Sequence, residues 1–254
     1  MKPNAVKPKP TCYMCEEQAT TREHAPPRCF FPEPKDVENG EDLRRNLITV
    51  PSCAKHNLTA SKDDEYVMVM LVSHIGNNAV AKRHFATKVV RALEKSPAFV
   101  RRAYGDHHRV VVDGGETLAF RIDDARFQAV MEKTTRAIVF DHTGQKLLRP
   151  VKIISPSFAT DHPDIARAYG AIEFTGSGLF GSLQSHGDNP DVFTYRYHSD
   201  STDDFGCLLM TFFGGFEVYG VWGDQIDNAL GLNDPVDRCD SDSGRSTGGA
   251  AAEK

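Results

Sequence analysis

The chain of 254 residues is 40% hydrophobic and 26% charged, a globular composition with room for one large domain or two small ones. A formal net charge of -5 supplies no whole-molecule field for a polyanion, so any nucleic-acid site has to rest on local charge. No apolar run approaches the roughly 18 to 20 residues of a membrane span, and "MKPNAVKPKP" lacks the apolar centre of a signal peptide, so the expected location is cytoplasmic.

Residues 1–10, rich in proline and lysine, read as a flexible arm, more simply a solvated tail than a phosphate contact. From 11 to 65 there is little apolar periodicity but much Pro, Cys and His, the texture of a small domain in which a metal replaces part of the core. In a reducing compartment six cysteines do not make a disulfide framework, and the spacing Cys12-x2-Cys15 points to metal instead. Cys53-x2-His56 is the matching half. Zinc takes four nitrogen or sulfur ligands in a tetrahedron, and two such pairs separated by a loop predict a structural Zn2+ held by Cys12, Cys15, Cys53 and His56. Cys29, Cys207 and Cys239 lack this spacing and read as ordinary thiols. "NLITV" predicts a strand over 46–50 ending at Pro51, with Ser52 as the cap of a short helix that starts near Cys53.

Past Lys62 the pattern becomes helical. Two helices are expected between Asp63 and Ser96, broken at "GNN", with Asp63 and Asp64 as a solvated acidic start. "HHRVVVDGGETLAFRID" predicts a hairpin about "DGGE". A helix capped by Asp123 or Asp124 follows, with Phe127, Val130, Met131, Thr134 and Ile138 on one face and "TG" as its stop. "LLRPVKIIS", "GAIEF", "VFTYRY", "CLLMTFF" and "GFEVYGVWG" predict short strands of a mainly antiparallel sheet. The tail from about 235 is small, polar and glycine-bearing, and is expected to be disordered. The fold class is therefore α+β, divided into an arm (1–10), a metal-bound domain (11–65), an accessory α+β domain (66–234) and a tail (235–254). His84, His107 and His108 have no ligand spacing and read as surface or packing residues.

Between the two zinc halves lies Arg22-Glu23-His24-Ala25-Pro26-Pro27, with "NL" ahead of the second half and Asn57 directly after it. Over residues 12 to about 62 this layout resembles the HNH endonucleases, in particular the zinc-knuckle subgroup that includes endonuclease VII-type phage resolvases. The resemblance implies a ββα-metal fold in which Glu23 and Asn57 ligate a catalytic Mg2+ or Mn2+, His24 is the general base and Asn46 steadies the hairpin loop. It also implies DNA as substrate, hydrolysed at a phosphodiester bond. The residue types suit that chemistry: an imidazole titrating near neutrality can take a proton from water, while a carboxylate and an amide oxygen are hard ligands for Mg2+ or Mn2+. Lys55, Lys62 and Arg22 are the candidate phosphate contacts. For the accessory region the family implies substrate selection, homo-oligomerisation or a regulatory protein partner. A different class of function, a zinc-knuckle module that binds nucleic acid or protein without chemistry, fits the same metal spacing.

Overall fold

The structure, a computed structural model, describes residues 10–57, 61–95, 98, 104–112, 114–158, 166–167, 169–170, 178–200 and 205–223. The expected arm (apart from its last residue), most of the "GAIEF" strand and the tail lie outside the described residues. Helices and antiparallel sheets are both present, in keeping with the α+β class. No helix among the described residues is long and apolar enough to cross a membrane.

The first unit is a hairpin of β1 (Thr21–His24) and β2 (Thr49–Ser52), antiparallel with Glu23 opposite Val50 and His24 opposite Thr49, followed at once by the short helix α1 (Ala54–Asn57). The second strand starts and ends later than the sequence predicts. Asn46 adopts a left-handed backbone (φ 52°), which asparagine tolerates better than most residues, so the chain is still turning there and pairs only from Thr49. Pro51 lies inside the strand, since a two-stranded hairpin offers edge positions that need no N–H, and its carbonyl accepts from the Tyr13 N–H at 2.9 Å. Ser52 does not cap α1: its hydroxyl bonds the Cys53 carbonyl, which itself accepts from the Asn57 N–H.

Helix α2 (Ser61–Val72) follows. Its first half is polar, but every residue from Tyr66 to Val72 is buried, so the second half is a central segment, apolar on all sides. The break after it is built by asparagines. Asn77 donates to the Leu71 carbonyl at 2.6 Å, and Asn78 caps α3 (Ala79–His84) by accepting from the Ala81 N–H. A π-helical stretch (Phe85–Val89) and α4 (Val90–Lys95) continue from α3. The hairpin β3 (His107–Val112) and β4 (Gly115–Phe120) is as predicted. It leaves Val111 and Leu118 exposed.

Helix α5 (Asp124–Thr143) is the hub. Asp123 caps it, Gly144 closes it in the left-handed conformation (φ 75°), and the predicted face of Phe127, Val130, Met131, Thr134 and Ile138 is buried. It packs on α2, on β2 and on a five-stranded antiparallel sheet of order β5-β9-β8-β7-β6, formed by β5 (Lys152–Ile154), β6 (His186–Asn189), β7 (Phe193–Ser199), β8 (Phe205–Phe212) and β9 (Phe216–Gly223). One apolar core runs from Cys12 and Tyr13 through α2 and α5 to Trp222. The expected boundary between residues 65 and 66 falls inside α2.

Candidate functional site

The turn at residues 12–15 is closed by bridge pairing of Thr11 with Gln18 and by a bond from the Cys12 N–H to the Glu17 carbonyl. The Met14 N–H points at Cys12 Sγ, the amide-to-sulfur bond of a metal knuckle. Cys53 ends the hairpin and α1 lifts His56 toward it. His56 Nδ1 then lies 3.4, 3.6 and 3.3 Å from the sulfurs of Cys12, Cys15 and Cys53, and the Cys15 and Cys53 sulfurs are 3.9 Å apart. A tetrahedron with Zn–S of about 2.3 Å and Zn–N of about 2.0 to 2.1 Å has S···S edges of about 3.8 Å and S···N edges of about 3.5 Å. The four side chains therefore already outline the predicted polyhedron, and this Cys3His cluster could hold a metal such as zinc. Burial alone would raise the Cys12 thiol, but the amide and imidazole bonds around it outweigh that and bring it down to about 6, toward the thiolate a metal requires.

Beside the clamp lies a cleft of about 220 Å³ lined by Glu23, His24, Pro27, Arg28, Cys29, Asn57, Asp64 and Glu65. The hairpin supplies Glu23 and His24, α1 supplies Asn57 and the start of α2 supplies the last two acids. Partial burial, with Arg28 and Arg22 adding to it, lowers the His24 imidazole, so it is neutral at pH 7. Asn57 donates from Nδ2 to the Arg22 carbonyl at 3.2 Å, which fixes the amide and leaves Oδ1 as its acceptor face. Glu23 is 5% exposed, and burial raises its carboxyl despite the Lys133 ammonium 2.8 Å from Oε1. Three residues implied by the HNH resemblance thus share one opening.

Comparison with protein-family models, with curated proteins and with solved structures returned no match. Asn46 is exposed and does not line the cleft, so what it offers is the left-handed turn that delivers β2. Arg22 is exposed but engaged across the hairpin, donating to the carbonyl and the hydroxyl of Thr49. Lys55 and Lys62 are exposed, on α1 and near the start of α2.

Two residues of the site lie outside the sequence reading. Asp64 is not a solvated helix start: its side chain lies in the cleft 3.4 Å from Lys133, and burial raises its carboxyl. Asp63, by contrast, stays nearer solvent and pairs with Arg126 at 3.4 Å. Lys133 of α5, which the sequence analysis does not single out, is buried and spans Glu23 and Asp64. A buried ammonium of this kind leaves one trace in sequence, a charged residue beside an apolar face.

Proposed function

We propose that this protein is a metal-dependent HNH-type endonuclease that hydrolyses phosphodiester bonds in DNA. The observation that carries the reading is the meeting of His24, Glu23 and Asn57 in one solvent-accessible cleft against a Cys3His clamp. Neutral His24 accepts a proton from water through an imidazole nitrogen, and the resulting hydroxide forms the new P–O bond as the bond to the leaving sugar oxygen breaks. Arg28, at the mouth of the cleft, offers a guanidinium to the phosphate. A divalent Mg2+ or Mn2+ on Glu23 and Asn57 would supply charge neutralisation for the phosphate and for the leaving alkoxide. The zinc is structural: because Asn57 directly follows His56, the clamp sets the position of the amide without touching substrate.

The test is nicking of supercoiled plasmid with Mg2+ or Mn2+. Wild type is expected to convert plasmid, and His24→Ala to lose roughly 100-fold or more of the rate, the scale of general-base catalysis. Equal rates for the two proteins would remove His24 as the base. One observation favours a second reading, a knuckle module that binds nucleic acid without cutting it: Glu23 already has an ammonium for a partner. That reading predicts retention of plasmid in a gel shift with no nicking at any metal concentration.

A further inference from the structure

Lys133 stands at the centre of the buried charge beside the cleft. Its ammonium is 2.8 Å from Glu23 Oε1 and 3.4 Å from Asp64 Oδ1, with its side chain about nine-tenths buried. The helix that carries it is not part of the hairpin or the clamp; α5 packs across both α2 and β2 and so brings the ammonium between two acids from different elements. Glu23 is held by one oxygen only. Its other oxygen, Oε2, is buried and has no hydrogen-bond partner among the described residues, although Glu23 lines the cleft. A buried carboxylate oxygen with nothing to accept from is costly unless a ligand completes it.

We propose that Lys133 is a positioning residue for a divalent-cation site in this cleft: by fixing Glu23 through Oε1 and tethering that pair to Asp64, it presents Oε2 to a cation shared with Asn57. The inference rests on the nuclease reading for the identity of the cleft but concerns a residue of the accessory region, which the HNH motif does not contain. It gives that region a definite part in the site. Partners just outside a metal's own ligands orient those ligands, and their loss typically weakens metal binding about 10- to 100-fold.

The opposite role would have the opposite sign. An ammonium that merely occupies the cation's place competes with it, so its removal would tighten binding. Mn2+ binding to the zinc-loaded full chain, followed by the electron paramagnetic resonance signal of free Mn2+, separates the two without reference to turnover. Lys133→Met is expected to raise the Mn2+ dissociation constant about tenfold or more, and in plasmid nicking to raise the Mn2+ needed for half-maximal rate by a similar factor. Unchanged or tighter Mn2+ binding in Lys133→Met overturns the proposal. Where Lys133→Met loses its zinc or its cooperative melt, Lys133→Gln, which keeps a polar side chain but removes the ammonium from Glu23 and Asp64, carries the test. Several-fold weaker Mn2+ binding then supports the role, and unchanged binding rejects it. A wild type that binds Mn2+ but cuts neither supercoiled nor single-stranded DNA overturns the nuclease reading and leaves the role of Lys133 standing on the binding data alone.

Discussion

At the scale of single residues the fold keeps one imidazole uncharged at a cost that can be measured. His84 is fully buried at the end of α3, edge-on to Phe213, and neither ring nitrogen has a hydrogen-bond partner among the described residues. Burial lowers it from 6.5 to about 4, with Lys88 and Arg44 pushing the same way and Asp36 and Glu33 opposing. The folded state binds the proton less readily than the unfolded chain, so the stability tied to neutral His84 is complete above pH 6.5 and is lost as pH falls toward 4. Between pH 7.5 and 5.5 the linkage comes to about 1 kcal/mol. Urea melts at the two pH values should show wild type losing about 1 kcal/mol more than His84→Leu; parallel losses would mean that His84 takes up its proton without penalty. The sequence reading of this residue as packing or surface was right in kind but gave no hint of its burial. Residue-level legibility follows the range of the signal. The clamp ligands were readable because chelation demands short spacings, whereas Lys133 and Asp64 acquire their meaning from partners far along the chain.

Elements were legible where local chemistry is decisive. The two asparagines that cap α2 and α3, the Asp123 and Gly144 ends of α5, and the β3–β4 hairpin all follow from side chains acting within a few residues. Strand β6, "HGDN", carries no apolar alternation and exists only as the edge that β7 pairs, so nothing in its own composition marks it. The seating of α5 on the sheet is similarly non-local. A Cβ on Gly220, in the middle of β9 between Ile153 and Leu208, would lie 2.5 Å from Thr135 Oγ1 and 2.6 Å from its Cγ2. Thr135 cannot easily turn away, because its hydroxyl is bonded to the Met131 carbonyl at 2.8 Å inside the helix. Gly220→Ala should therefore cost about 1 to 3 kcal/mol by forcing helix and sheet apart. Thr135→Ala in the same chain should return part of that loss, giving a coupling above about 0.5 kcal/mol in a double-mutant cycle. Strictly additive effects would show that α5 and β9 do not meet as tightly as the geometry states.

For the whole molecule the question is whether clamp and sheet fold as one. The sequence changes texture past Lys62 and the expected domain boundary lies between residues 65 and 66, yet α2 runs through that boundary and its buried residues belong to the same core as Cys12 and Trp222. Polar ties reinforce the join: Lys146 donates to the Cys15 carbonyl at 2.7 Å, Asn189 to the Arg45 carbonyl at 2.9 Å, and Arg91 pairs with the buried Asp36 at 2.9 Å. Change in composition marks where the Cys3His cluster takes the place of apolar side chains, and not where one core ends. The chain has a single tryptophan, Trp222, buried in β9, so its fluorescence reports the sheet and not the clamp. Cys12→Ser removes one of four ligands, and apparent binding free energies of about 10 to 16 kcal/mol for structural zinc mean that even a fraction of that loss is large for a marginally stable fold. In one cooperative unit the Trp222 transition should fall with the clamp, by about 10 °C or more, and zinc content by atomic emission should drop from one equivalent toward none. A Trp222 midpoint that holds at the wild-type temperature while zinc is lost would separate the halves, and would also detach Lys133 from the cleft it is argued to organise.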